Sequence, residues 1–183
     1  MLPARSLLIA NLTFLLTSFG CGGDIGDGGA DASTDDTPSG QLTEAETGNN
    51  RTSVDMLHAW VDADTEVGFR GAGYLEALPN DGESCGEFTQ CGASVSYNID
   101  VEQTGTYFVY FRVWADDVTD DSIAWSVNAG PGEILVQTQL GEWQWIRSQT
   151  AITAQPGPLV FTIHMTEDGE KLDAFVLSTD GDQ

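Results

Sequence analysis

The chain has 183 residues, of which 29 are acidic and only six are Lys or Arg, for a formal charge of −23. That length builds one domain with a real core and leaves little for a second. So few cations cannot release the counterions that hold nucleic acid or an anionic lipid surface, whereas the acidity suits divalent cations, neutral glycans and high solubility.

At the N-terminus Arg5 precedes an apolar run, LLIANLTFLLTSF, and small residues before Cys21. Residues 1–20 therefore read as a secretory signal, too short and too interrupted for a permanent transmembrane helix. The sequence SFGC resembles a bacterial lipoprotein signal, with Gly20 before the cleavage point and Cys21 as the lipid-modified first residue, although Ser18 and Phe19 replace the usual Leu and small residue. The resemblance implies an exported protein, anchored by its lipid to the bacterial outer membrane or cell surface. Residues 21–41 are dominated by Gly, Asp, Ser and Thr, have almost nothing to bury, and are expected to form a disordered tether.

From Leu42 to the end at Gln183 the chain reads as one folded domain. Strands are expected near Leu42 to Glu46, Met56 to Val61, Gly73 to Leu78, Ser94 to Val101, Thr106 to Ala115, Ser122 to Asn128, Glu133 to Gln139, Trp143 to Thr150, Leu159 to Met165 and Leu172 to Ser178, with Gly, Pro, Asn and Asp between most of them. Many short strands without a helical period predict an all-β two-sheet β-sandwich or jelly roll. Its centre is GTYFVYFRVW, which sets Tyr107, Val109, Phe111 and Val113 on one face and Phe108, Tyr110, Arg112 and Trp114 on the other, a strand covered on both sides. An acidic loop, ADDVTDD, leads into SIAWSV, and the two strands are expected to pair as a central hairpin. Between the strands, Cys85 and Cys91 lie six positions apart and can close a small disulfide ring in an oxidising compartment; a metal site is the rival, weakened by the lack of a nearby His.

The order EAE (44–46), GYLEALP, GTYFVYFRVWA, DDSIAWSV, GEWQWI and EDGEKLDAFVLSTD resembles the galactose-binding-domain-like β-sandwich modules of carbohydrate-binding families 6 and 35, over roughly Leu42 to Asp180. No single motif is specific, and the order and spacing carry the resemblance. It implies a structural calcium held by Glu44, Glu46 and Asp173, which would clamp the terminal strands with oxygen ligands. Strand alternation would put both glutamates on one side; the alternative is an acidic edge strand that discourages aggregation.

The resemblance also implies glycan binding in loops at one end of the sandwich. There an aromatic ring offers a flat apolar surface to a sugar face. Trp143, after the turn Leu140-Gly141-Glu142, is the first candidate platform, with Tyr74 as the opposing wall. Trp145 reads as core. Of the loop acids Asp116, Asp117, Asp120 and Asp121, the last two best match the family's acidic run. For each aromatic, packing competes with ligand contact, and for each Asp, turn chemistry does. Phe108, Tyr110, Arg112 and Trp114 are expected to lie beneath a loop. The segment Asn80 to Gly92, with its Cys pair, departs from the family pattern near the presumed binding end.

His58 and His164 read as strand residues, and no nucleophile elbow, zinc-protease motif or phosphate loop is present. The expectation is a monomeric, non-catalytic module that takes a polysaccharide or oligosaccharide, touches a membrane only through its lipid, and binds no nucleic acid. The alternative is a structural or adhesive surface lipoprotein without a sugar site. An exposed Trp143 facing Tyr74 across a groove favours the first, and a buried Trp143 favours the second.

Overall fold

The computed structural model describes residues 37–180; the signal, Cys21 and most of the tether lie outside the described residues. Among the described residues twelve strands form two antiparallel sheets. They are β1 (Gln41–Glu44), β2 (Asn50–Ser53), β3 (Ala59–Ala63), β4 (Tyr74–Leu78), β5 (Ala93–Val101), β6 (Gly105–Trp114), β7 (Ser122–Val127), β8 (Gly132–Val136), β9 (Gln144–Arg147), β10 (Ile152–Ala154), β11 (Gly157–Met165) and β12 (Lys171–Ser178). The seven-stranded sheet runs β10-β6-β12-β4-β3, with β1 added on β12 and β9 on β6; the five-stranded sheet runs β2-β5-β11-β7-β8. The expected all-β sandwich is the observed architecture.

The core lies where the two inner faces meet. Val95, Tyr97, Ile99 and Val101 of β5 alternate inward, as do Leu159, Phe161, Ile163 and Met165 of β11, and Val109, Phe111 and Val113 of β6 oppose them. Trp125, Phe161 and Phe175 stack in series across the middle, with centroids 5.5 and 4.9 Å apart. All eight residues of β12 are buried, because this strand is covered on both faces.

The expected pairing of β6 with β7 is not what forms. β6 pairs with β12, β9 and β10 in one sheet, while β7 pairs with β11 and β8 in the other. The acidic loop 115–121 carries the chain across the end of the sandwich instead of turning it back. Both strands bury large inward residues, and opposite sheets let those faces pack on each other.

Other boundaries move for local reasons. β1 stops at Glu44, and a 3-10 turn, Ala45–Thr47, follows; Ala45 is buried and its carbonyl accepts from Gly48 N–H and Tyr97 OH. β3 begins three residues later than expected, at Ala59, because Asp55 holds a turn through the amides of Leu57 and His58. The run Trp143 to Thr150 is interrupted after β9, where the Gln149 and Thr150 amides donate to Glu133. β2 and β10 gave no sequence signal strong enough to place them. The Cys85–Cys91 disulfide is formed, with Cα atoms 5.8 Å apart.

Candidate functional site

The outer face of the seven-stranded sheet carries Phe108, Tyr110, Arg112 and Trp114 from β6. In register beside them stand Trp145 opposite Arg112, Arg147 opposite Tyr110, and Lys171 opposite Trp114. A bulge in β12 between Leu172 and Ala174 turns Asp173 toward Arg112, whose guanidinium donates to its carboxylate. The segment 64–73 then folds back over this face. Val67 C=O accepts from Trp143 Nε1 at 3.1 Å, Arg70 N–H donates to both Asp173 oxygens at 2.9 and 3.1 Å, and Glu66 meets Lys171 Nζ at 2.7 Å. Of the β6 outer face, expected to lie beneath a loop, Tyr110 is buried and Phe108, Arg112 and Trp114 are half-buried.

Trp143 stands at the centre of an aromatic cluster. Its ring lies edge-on to Tyr74 at 5.4 Å and to Trp114 at 5.6 Å, with the Arg112 guanidinium 5.3 Å from its centroid. Trp114 donates Nε1–H to Asp116 at 2.9 Å, and Lys171, 2.8 Å from the same carboxylate, places its ammonium 5.8 Å from the Trp114 ring. Those bonds hold Asp116 below the usual carboxylate range although burial opposes it. Trp114, Trp143 and Trp145 are all half-buried.

Tyr74 is not the opposing wall that the sequence suggested. It is fully buried, packs between Phe69 and Trp143, and bonds Thr65 through its hydroxyl. As the first residue of β4, opposite Ala63, it supports Trp143 from below, so the pair is packed and no groove separates its rings. Trp145, expected in the core, stands on the outer face with Nε1 buried and without a hydrogen-bond partner.

Asp120 and Asp121 lie at the end of the sandwich in loop 115–121. Asp120 is buried and accepts from Asn80 Nδ2 at 3.3 Å and from the Thr119 hydroxyl; burial first, then Asp117, raises its pKa. Gly169, at φ +79°, packs so tightly here that a Cβ would sit 2.2 Å from Asn80 Nδ2. The Asp121 carbonyl accepts from Gln137 N–H at 2.7 Å, and burial with Glu167 raises its carboxyl pKa. These contacts fix the loop. The acid that reaches the tryptophans is Asp116, and Lys171 and Glu66 join it from distant positions that sequence spacing could not connect.

Glu44 and Glu46 converge, though not by strand alternation: Glu44 ends β1 and Glu46 sits in the 3-10 turn. A Cβ added at Gly71 would lie 2.8 Å from Glu46 Oε1 and 3.4 Å from Glu44 Oε2, so the two carboxylates flank one point. Each leaves Oε2 buried without a hydrogen-bond partner. Burial, then Asp173 and Glu46, raises the Glu44 pKa. Two orphaned oxygens in mutual repulsion fit a hard cation. A cleft of about 380 Å³ lined by Glu46, Asp62, Ala63, Asp64, Ala72 and Gly73 gives access from solvent. Asp173 differs from them, because Arg112 and the Arg70 amide already occupy its carboxylate.

No family model and no curated protein matches the chain. Solved structures do. A β-(1,4)-mannanase of Podospora anserina that carries a family 35 carbohydrate-binding module matches with a TM-score of 0.59 at 15% identity, over 78% of this chain and 28% of that one. A family 35 carbohydrate-binding module from Clostridium thermocellum matches at TM-score 0.55 and 17% identity, over 78% of this chain and 100% of the module. A family 35 module from Paenibacillus barcinonensis gives 0.55 and 21%, over 77% of this chain and 100% of the module. The chain thus spans under a third of the mannanase but the full length of the isolated modules. What it shares with them is the fold: residues 37–180 form an all-β, two-sheet jelly-roll sandwich like that of the family 35 modules.

Proposed function

We propose that this protein binds a neutral polysaccharide without altering it, as a calcium-stabilised β-sandwich tethered to a bacterial membrane through a lipid on Cys21. The observation that supports sugar binding is the tryptophan cluster: Trp114, Trp143 and Trp145, half-buried on one sheet face, are bordered by Asp116, Lys171, Glu66 and Arg112. Indole faces receive the C–H face of a pyranose, and the charged rim offers donors and acceptors to its hydroxyls. The carboxylates at this end repel uronic acids and sulfated glycans unless a cation bridges them.

Glu44 and Glu46 would hold the calcium, which supplies positive charge at the junction of β1 with the 3-10 turn and so ties the first strand to the segment at Gly71. Arg112 performs for Asp173 much of what calcium would.

A second reading has its own support. Trp143 is tied by Nε1 to Val67 and Tyr74 is sealed beneath it, so the groove expected between them is absent. A structural or adhesive surface protein that contacts another protein would use such a roofed face. Affinity electrophoresis of residues 37–183 through gels holding mannan, xylan, galactan or glucan separates the two. Retardation in one gel, relieved by the free oligosaccharide and unchanged at high salt, supports sugar binding. Equal mobility in every gel supports the alternative.

A further inference from the structure

At the end of the sandwich three chain segments meet at His58. Asp55 Oδ1 accepts the amides of Leu57 and His58 at 2.8 and 3.0 Å and the Ser53 hydroxyl at 2.9 Å, which fixes the turn before β3. Asp55 Oδ2 lies 2.7 Å from His58 Nδ1. An ionised carboxylate only accepts, so Nδ1 carries the proton and Nε2 is aimed the other way. Nε2 faces Asp81 Oδ1 at 3.4 Å and Asp168 Oδ2 at 3.6 Å, from the segment after β4 and from the β11–β12 turn. Among the described residues this is the one group of three His, Cys, Asp or Glu whose ligand atoms all lie within 4.8 Å of one another.

The contact with Asp81 is a long hydrogen bond and the one with Asp168 lies beyond hydrogen-bond length, and both match the spacing of neighbouring metal ligands. Separations of 3.4 and 3.6 Å are long for N–H···O contacts, which centre near 2.9–3.0 Å. Zinc bonds of about 2.0–2.2 Å to nitrogen and oxygen place neighbouring corners of a tetrahedron roughly 3.3–3.6 Å apart. Asp168 gives an independent sign. Its side chain is fully buried, Oδ2 accepts the amides of Asp81 and Gly82 at 2.6 and 3.0 Å, and Oδ1 is buried with no hydrogen-bond partner. One oxygen of this buried carboxylate is thus left unsatisfied while the other, Oδ2, faces the imidazole nitrogen, a cost the fold bears unless a cation takes it up. Asp55 on Nδ1 completes the carboxylate–histidine arrangement that orients metal-binding imidazoles. Asp81 is exposed and leaves a path for an ion to enter.

We propose that His58 Nε2, Asp81 and Asp168 bind one divalent ion of the zinc class, with solvent at the remaining position. The imidazole selects zinc over calcium, which prefers six to eight oxygens. The ion joins the turn before β3, the β11–β12 turn and the segment 79–92, whose Asn80 holds Asp120. It therefore stiffens the same loops that the Cys85–Cys91 disulfide closes, and it does not depend on sugar binding.

The test is calorimetric titration of the metal-free full-length chain with Zn²⁺, repeated with competing chelator and with millimolar Ca²⁺ present. One equivalent should bind, unaffected by Ca²⁺, and Co²⁺ in its place should give the visible absorption of a tetrahedral site. His58→Gln should weaken binding about 100-fold or more, and Asp55→Asn, which acts through the ring, about 10-fold. Because His58 is buried, Asp81→Asn serves as the second variant: its side chain is exposed, so the metal-free melt should be unchanged while zinc affinity falls at least about 10-fold. Zinc bound with equal affinity by wild type and both ligand variants would be an adventitious ion on other carboxylates, and would overturn the site. The absence of saturable binding would do the same and would leave a proton on Nε2 as the group shared with Asp81 and Asp168.

Discussion

Replacing Arg112 with Ala removes the partner of a carboxylate that the β12 bulge has placed in the protein interior. Asp173 is 0% exposed and Arg112 15%, so little water can enter to take over. Breaking a buried ion pair on one side costs about 3–5 kcal/mol, because a charge stays behind unpaired. Protonation sets a ceiling: neutralising a carboxyl of ordinary pKa about 3.9 at pH 7 costs about 4 kcal/mol, and the amide of Arg70 still donates to both oxygens. A loss of about 3–4 kcal/mol is therefore expected, which for a domain of this size lowers the melting temperature by roughly 10–15 °C. The deficit should also depend on pH. With Arg112 gone the folded-state pKa of Asp173 rises further, so the penalty grows as pH climbs above the unfolded value and shrinks below it. At pH 5 the ceiling falls to about 1.5 kcal/mol. Calorimetric melts of wild type and Arg112→Ala at pH 7 and pH 5 measure this directly. Asp173→Asn on the Arg112→Ala background should recover much of the loss. If calcium sits on Glu44 and Glu46, millimolar calcium should narrow the deficit as well. A loss below about 1 kcal/mol, or one that does not change between pH 7 and pH 5, would refute the account of this face.

Three further outcomes follow from other parts of the molecule. Chelation should lower the melting temperature and Glu46→Ala should remove most of that calcium dependence, whereas identical melts with and without chelator would remove calcium from the account. Burial pushes His164, which bonds Ser126 and packs on Phe88, down to about 4 from its ordinary 6.5. The unfolded chain then binds the proton first, so stability is complete above pH 6.5 and declines toward pH 4, by on the order of 1–2 kcal/mol once partial exposure is discounted. Urea midpoints across that range should flatten in His164→Gln, and parallel profiles would be evidence against the burial argument. Intact-mass analysis should find no free thiol at Cys85 or Cys91, and opening so small a ring should cost about 2 kcal/mol; two alkylatable thiols would contradict the disulfide.

Sequence revealed most where the chain alternates. β5 and β11 could be read almost to the residue because inward and outward positions differ in polarity, and β6 and β12 because large apolar residues fall on both of their faces. Pairing was less visible. A hairpin and a crossover both need two apolar strands and a polar connection, and the acidic loop 115–121 satisfies either. β2, NRTS, has no apolar side chain to betray it.

The candidate site was legible in part for a different reason. Trp143 and Tyr74 do meet, but their exposures are set by the segment 64–73, whose fold over the sheet depends on Val67, Arg70 and Glu66 finding partners far along the chain. Of the acids chosen from the loop, Asp120 turned inward to hold Asn80 and Asp121 meets Gln137 through its backbone carbonyl, while Asp116 stayed with Trp114. His58 read as a strand residue. Asp81 lies 23 positions after His58 and Asp168 a further 87, and no local spacing joins them.

The central claim is carbohydrate binding at the tryptophan cluster, and a glycan array tests it most directly. Residues 37–183 would be probed with and without calcium, beside Trp114→Ala and Asp116→Ala. The account predicts binding to a defined neutral glycan, weakened about 30-fold or more by Trp114→Ala, the loss of about 2 kcal/mol expected for a central aromatic contact, with the fold retained. Silence across a broad array from a folded, calcium-loaded domain would contradict it.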